Sequence, residues 1–227
     1  MKVFNFSVCY KTVTLYASDL PDMPLVVYNS FDGDGSEIVN LLNVNFAEKF
    51  NFLNVSGVVW NDEMSPWYCE PVFSGERAFT GGADKYLGVL TTEIIPKAES
   101  LVRGKPSYMA ITGYSLAGLF AVYASVKTSC FKRAASVSGS LWFPKYKEYI
   151  TVINSDDLPE KLYLSLGDKE SKVKNPILKT VLDNTLFTAE SFKALGVDVT
   201  FELNPGNHFK DEALRVVKAV SSLLDEF

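Results

Sequence analysis

From residue 25 to the end of the chain, short apolar runs alternate with longer stretches of helical period. The runs "PLVVYNS", "VSGVVW", "SYMAITG", "RAASVSGS" and "KLYLSLG" read as buried strands. Val197, Val199, Phe201 and Leu203 alternate with polar residues and mark a further strand, half open to solvent. Helical stretches lie between the strands. Ile38, Leu41, Leu42 and Phe46 share one face, and Ala83–Val102 reads as a helix kinked at Pro96. Leu116–Val126 is apolar on every side and must be buried. Asn175 and Pro176 open a helix that Gly196 stops, and a last helix runs from Phe209 to Leu224. Such alternation leaves one class: α/β, a mostly parallel central sheet with helices on both faces. Before it, Val3–Val8 and Thr12–Tyr16 form an N-terminal antiparallel strand pair.

The 227 residues, 47% of them hydrophobic, suit one core, so a single domain over 1–227 is expected. A net charge of -5 with scattered Lys and Arg speaks against a nucleic-acid partner. Cys9, Cys69 and Cys130 form no C-x-x-C pair, so free thiols are expected rather than a zinc site or a disulfide framework. The absence of a leader-like or membrane-spanning apolar run makes the cytoplasm the expected setting, with no membrane partner. No cofactor or metal is expected. Gly33-x-Gly35 lacks the third glycine of a dinucleotide turn, and Asp32 and Asp34 lack the later ligands of a calcium loop. The exposed strand pair at the N-terminus could join subunits of a homo-oligomer.

The chemistry centres on "ITGYSLAG". A nucleophilic serine must stand clear of the sheet on a tight strand-to-helix turn flanked by small residues. Gly113, Ala117 and Gly118 flank Ser115, although Ala117 stands where the G-x-S-x-G pattern has glycine. A hydroxyl needs a base at neutral pH, and the one histidine, His208, lies in "NPGNHF" after the last strand. A carboxylate that orients the imidazole should fall between them in the chain, and "LYLSLGDKE" ends in Asp168 and Glu170. Either could serve. The N–H of Leu116 and one from Gly33 or Asp34, in the loop after an early strand, are the candidate oxyanion donors. These residues point to a serine hydrolase.

The motifs "GYSLAGLFA", "SVSGSLW", "LSLGDKE" and "NPGNHF", in that order, resemble the esterase branch of the α/β-hydrolases. That branch groups S-formylglutathione hydrolase, siderophore esterases, feruloyl esterase domains and mycolyl transferases, and small bacterial esterases are the most similar in appearance. The resemblance implies an α/β-hydrolase fold, Ser115 as nucleophile and His208 as base. It also favours Glu170, three residues after Gly167, over Asp168 as the acid, and Asp34 of "DGD" as the oxyanion residue. The implied reaction is hydrolysis of a small-molecule carboxylic ester through an acyl-enzyme. Acyl transfer and thioester hydrolysis use the same triad, and a non-catalytic binding protein of this fold is the reading outside enzymes. The chain is too short for a large cap domain, so pocket walls must come from the aperiodic stretch Asn61–Gly82 and the segment after "SVSGS". Trp67, Tyr68, Trp142 and Tyr114 are the candidate lining residues, with Trp60 beside them.

Overall fold

The computed structural model describes residues 1–72, 75, 77–153 and 158–224. In chain order the elements are β1 (Lys2–Val8), β2 (Lys11–Ala17), β3 (Leu25–Asn29), α1 (Ser36–Phe46), β4 (Asn51–Ser56), α2 (Trp60–Glu63), β5 (Tyr68–Cys69) and β6 (Phe79–Thr80). There follow α3 (Ala83–Val89), α4 (Ile95–Glu99), β7 (Met109–Tyr114), α5 (Leu116–Lys127), β8 (Arg133–Val137) and α6 (Tyr146–Thr151). The chain closes with β9 (Lys161–Gly167), α7 (Val181–Ala194), β10 (Asp198–Asn204) and α8 (Glu212–Leu224). Eight strands form one sheet in the order β1-β2-β4-β3-β7-β8-β9-β10, and β5 pairs with β6 apart from it. The β1–β2 and β2–β4 pairs are antiparallel, and every other pair in the large sheet is parallel. The expected class and N-terminal pair are therefore present.

The two-residue period of the strands sorts the core into two layers. Val26 and Tyr28 of β3 face α1 and α8, where Ile38, Val39, Leu42, Val216 and Leu223 are buried. Leu25 and Val27 face the other way, toward α3, α4, α5 and α7. Helix α5 lies at the centre of that second layer, buried from Leu116 through Ser125. Its outer side is closed by Tyr86 against Phe120 at 5.3 Å and by Tyr149 against Tyr123 at 5.4 Å. Its inner side approaches the sheet so closely that side chains would not fit. A Cβ on Gly118 would lie 2.9 Å from Gly139 Cα and 3.0 Å from Gly113 O.

Four stretches differ from expectation. Strand β4 runs over Asn51–Ser56 instead of Val55–Trp60, because Gly57 turns the chain out with φ +72°. Its polar residues hid it. Asn51 and Asn54 are buried in the strand and spend their side chains on main-chain groups, Asn51 on Ser18 N and Met23 O and Asn54 on Gly33 O. The single helix expected over Ala83–Val102 is broken by a π-turn at Leu90–Ile94, which sets Pro96, with no N–H to give, in the first turn of α4. The stretch Asn61–Gly82, of which residues 73, 74 and 76 lie outside the described residues, contains the short helix α2 and the β5–β6 hairpin. Helix α6 was not foreseen. Among the described residues no helix is long and apolar enough to cross a membrane.

The close approach of α5 gives a stability prediction. Gly118→Ala sets a methyl group against main-chain atoms that no rotamer change can move. It should destabilise the fold by about 1–3 kcal/mol, read as a lowered urea midpoint at unchanged m-value.

Candidate active site

Strand β3 lies between β4 and β7, so the chain reverses its direction of winding there and a crevice opens at the carboxyl ends of β3 and β7. Ser115 stands at that point, between the end of β7 and the start of α5, with φ 58° and ψ −121°. A non-glycine residue with such angles is strained by roughly 1–3 kcal/mol and needs its surroundings to hold it. Its N–H donates to Val137 O at 3.0 Å, and its carbonyl accepts from Gly118, Leu119 and Ser140 N–H at 3.0, 3.2 and 2.9 Å. Gly113 is required as well, since a Cβ there would meet Ala117 O at 2.4 Å and Ala117 Cβ at 2.6 Å. Ala117 fits because Gly113 leaves the space that its methyl group fills.

His208, in the loop between β10 and α8, brings Nε2 to 3.0 Å from Ser115 Oγ and Nδ1 to 2.7 Å from Glu170 Oε2. An ionised carboxylate only accepts, so the imidazole proton sits on Nδ1 and Nε2 is left to accept from the serine hydroxyl. The ring rests against Tyr114 at 5.4 Å, and Tyr114 Oη donates to the main-chain carbonyl of His208. The structure thus brings together Ser115, His208 and Glu170. Asp168 is directed elsewhere: its Oδ1 accepts from Gly206 N–H at 2.6 Å, which fastens the loop before His208.

Glu170 is nearly enclosed, its side chain 4% exposed, whereas that of His208 is 29% exposed. Burial alone would raise its carboxyl above the ordinary value. The hydrogen bond and charge of His208, together with donors from Gly167 N–H and Ser138 Oγ, outweigh burial and hold it below that value. Ser138 Oγ donates to Oε1 at 2.8 Å and Gly167 N–H at 2.6 Å, and Arg215 Nη1 lies 3.1 Å away. Arg215 and Ser138 went unnoticed in the sequence. The available signal was an arginine on the apolar face that Val216, Ala219 and Leu223 define in α8.

Two cavities meet at Ser115 and His208. The larger, about 490 Å³, is walled mainly by Trp142, Val173, Leu178, Val181 and Phe209. The smaller, about 300 Å³, is bordered by Phe31, Asp32, Trp60, Tyr114 and Glu212. Trp142 and Tyr114 are therefore at the site, as is Trp60. Trp67 and Tyr68 are not. Trp67 turns inward against Phe143 and Tyr149 and donates Nε1–H to Pro144 O at 2.7 Å, so it anchors the hairpin instead of lining a pocket. Tyr68 is 59% exposed and donates to Glu70. Leu116, as the first residue of α5, has an N–H with no intrahelical acceptor. Gly33 and Asp34 border an adjoining hollow with Ser36 and Glu37, which shares Asp32 and Glu212 with the smaller cavity. Ser36 N–H at the start of α1 donates to Asp34 Oδ1, and Asn54 of β4 donates to Gly33 O, which fastens this part of the loop to both elements. Phe31 and Asp32, one and two residues beyond the Ser30 N–H bond to Val55 O, are the loop residues that reach the crevice.

A family model described as Putative esterase matches residues 55–201. An uncharacterised protein of Bacillus subtilis (strain 168), YbbA, is 29% identical over 138 residues; the match covers 60% of this chain and 55% of that protein. Among solved structures, an IroE-like serine hydrolase from Shewanella oneidensis superposes with a TM-score of 0.79 at 16% identity, covering 98% of this chain and 79% of that one. The siderophore hydrolase EstA from Aspergillus nidulans superposes with a TM-score of 0.74 at 15% identity, covering 99% and 94%. These structural likenesses carry the α/β-hydrolase fold, and the matched span, more than half of the chain, places this protein in the Putative esterase family.

Proposed function

We propose that the chain is a serine esterase that cleaves a small carboxylic ester through an acyl-enzyme. The observation that carries this reading is the chain of hydrogen bonds from Ser115 Oγ through His208 to Glu170, built on a strained turn. Membership of the family and the hydrolase descriptions of its structural neighbours support it. Ser115 Oγ attacks the ester carbonyl while its proton passes to His208 Nε2, and the ionised Glu170 stabilises the imidazolium. The tetrahedral oxyanion takes hydrogen bonds from Leu116 N–H and from the main chain at Phe31, each worth roughly 3 kcal/mol of transition-state stabilisation. Collapse expels the alcohol, which leaves with the proton from Nε2. Water then enters on the same base and releases the acid. The apolar walls of the larger cavity suit a hydrocarbon or aryl portion of the ester.

Ser115→Ala should lower p-nitrophenyl ester hydrolysis by roughly 10⁴- to 10⁶-fold with the circular dichroism spectrum retained, and should abolish labelling by a fluorophosphonate. Unchanged turnover in that variant would falsify the reading. Glu170→Gln should cost about 10⁴-fold in kcat. Asp168→Asn should stay within about tenfold of the native rate, because its bond to Gly206 steadies the loop without touching the imidazole. Comparing the two rates identifies the acid. The lowered carboxyl of Glu170 also links to folding. Its contribution is fully present above the unfolded-state value, about 4.3, and is lost as pH falls through the folded-state value. Urea unfolding at pH 7 and at pH 4 should show a smaller acid loss of stability in Glu170→Gln than in the native chain.

A further inference from the structure

Arg215 takes no part in the chemistry proposed above, yet it is a large side chain only 2% exposed. A buried guanidinium costs several kcal/mol in desolvation unless its donors are used, and an apolar residue of similar volume is often as stable. Its neighbours on α8, Val216, Ala219 and Val220, are fully buried and would accept such a residue. Stability alone therefore gives no reason for an arginine here. Its hydrogen bonds point to another. Nη1 donates to Ser138 Oγ at 3.0 Å and to Glu170 Oε1 at 3.1 Å. Nη2 donates to the carbonyls of Pro205 and Asn207 at 3.1 and 3.0 Å. All four bonds thus go to the acid, to the serine that holds it, and to the loop that carries His208.

We propose that Arg215 is a positioning residue for the esterase reaction, tying the Glu170 carboxylate to the His208 loop so that acid and imidazole are held as one unit. The proposal rests on the triad reading above. Glu170 Oε1 takes Gly167 N–H, Ser138 Oγ–H and Arg215, while Oε2 faces His208. Three donors on Oε1 fix the plane of the carboxylate, and with it the direction from which Oε2 meets the imidazole. The loop is gripped from two sides. Asp168 Oδ1 and Lys169 N–H hold the N–H and carbonyl of Gly206, while Arg215 holds the carbonyls on either side of it. Lysine could supply the charge but not the planar fork that reaches both partners.

The charged and titratable groups facing Glu170 are His208 from the β10–α8 loop, Arg215 from α8 and Tyr114 from the end of β7. Without the guanidinium, burial acts on the carboxylate with one cation fewer. The carboxyl then protonates at a higher pH, and the imidazole loses its partner there.

The test compares the full-length native chain with Arg215→Met and Arg215→Lys, each checked for fold by circular dichroism. One readout is the pH dependence of p-nitrophenyl acetate hydrolysis. The other is the low-field proton resonance of Nδ1–H, which needs no assignment because the chain has one histidine. Arg215→Met should lose on the order of 10²-fold in kcat with little change in KM. Its acid limb should move to higher pH, and the Nδ1–H signal should disappear at higher pH than in the native chain. Arg215→Lys keeps the charge and gives up the fork, so its kcat should fall while its acid limb stays in place. A folded Arg215→Met with native kcat, or one with reduced kcat but native acid limb and native Nδ1–H range, would overturn the proposal. Should the methionine variant not fold, native kcat in Arg215→Lys would overturn it equally. The resonance is read without turnover: a native chain that does not hydrolyse the ester counts against the esterase reading, while the resonance still decides the tie between Arg215 and the pair.

Discussion

The placement of α5 against the sheet is the constraint on which the remaining geometry depends. Gly113 and Gly118 let helix and strand approach within distances that no side chain permits, and the turn between them then has no room to relax. The strain at Ser115 is local, of the order of a few kcal/mol, and the main-chain bonds to Val137, Gly118, Leu119 and Ser140 span β8 as well as α5. Several elements must move before the turn can open. The same packing aligns the ends of β3, β7, β8, β9 and β10, so the loops that follow them converge on one crevice.

The legible part of this arrangement was the part written in residue types with few alternatives. Gly113, Ser115 and Gly118 identify their turn because only small residues fit it, and a chain with one histidine leaves one base. Between Asp168 and Glu170 the residues themselves left the choice open, and only the family resemblance favoured Glu170. The choice depends on a turn at Gly167 that brings the later carboxylate inward and spends the earlier one on Gly206. The loop after β3 is a related case. Its "DGD" suggested Gly33 and Asp34, but Asn54, in β4, the next strand along the chain, holds the carbonyl of Gly33, and the loop residues bordering the cavity at Ser115 are Phe31 and Asp32. Asn51 and Asn54 also concealed β4, because a strand that buries amides does not read as an apolar run. Trp67 was a question of direction: aromatic residues in an aperiodic stretch can face a pocket or plug a core, and tertiary packing decided for the core.

Charge is used sparingly in the interior. The chain carries a net −5, yet behind the imidazole it encloses one carboxylate and one guanidinium in contact. Each would be costly alone, and together they satisfy Ser138, Gly167 and two loop carbonyls. A buried pair of this kind contributes little net stability. What it supplies is a single allowed orientation for the groups around it.

The β5–β6 hairpin is fastened at both of its ends. Trp67 is bonded to Pro144, and Phe79 packs on Trp142 and Phe143 at 6.2 and 5.2 Å. The wall that bears Trp142 is therefore braced from behind before any substrate arrives. Binding energy need not be spent on ordering this wall, so its resting shape contributes directly to selectivity. A new preference could then arise by exchanging the side chains that this bracing presents to the cleft, Trp142 first among them.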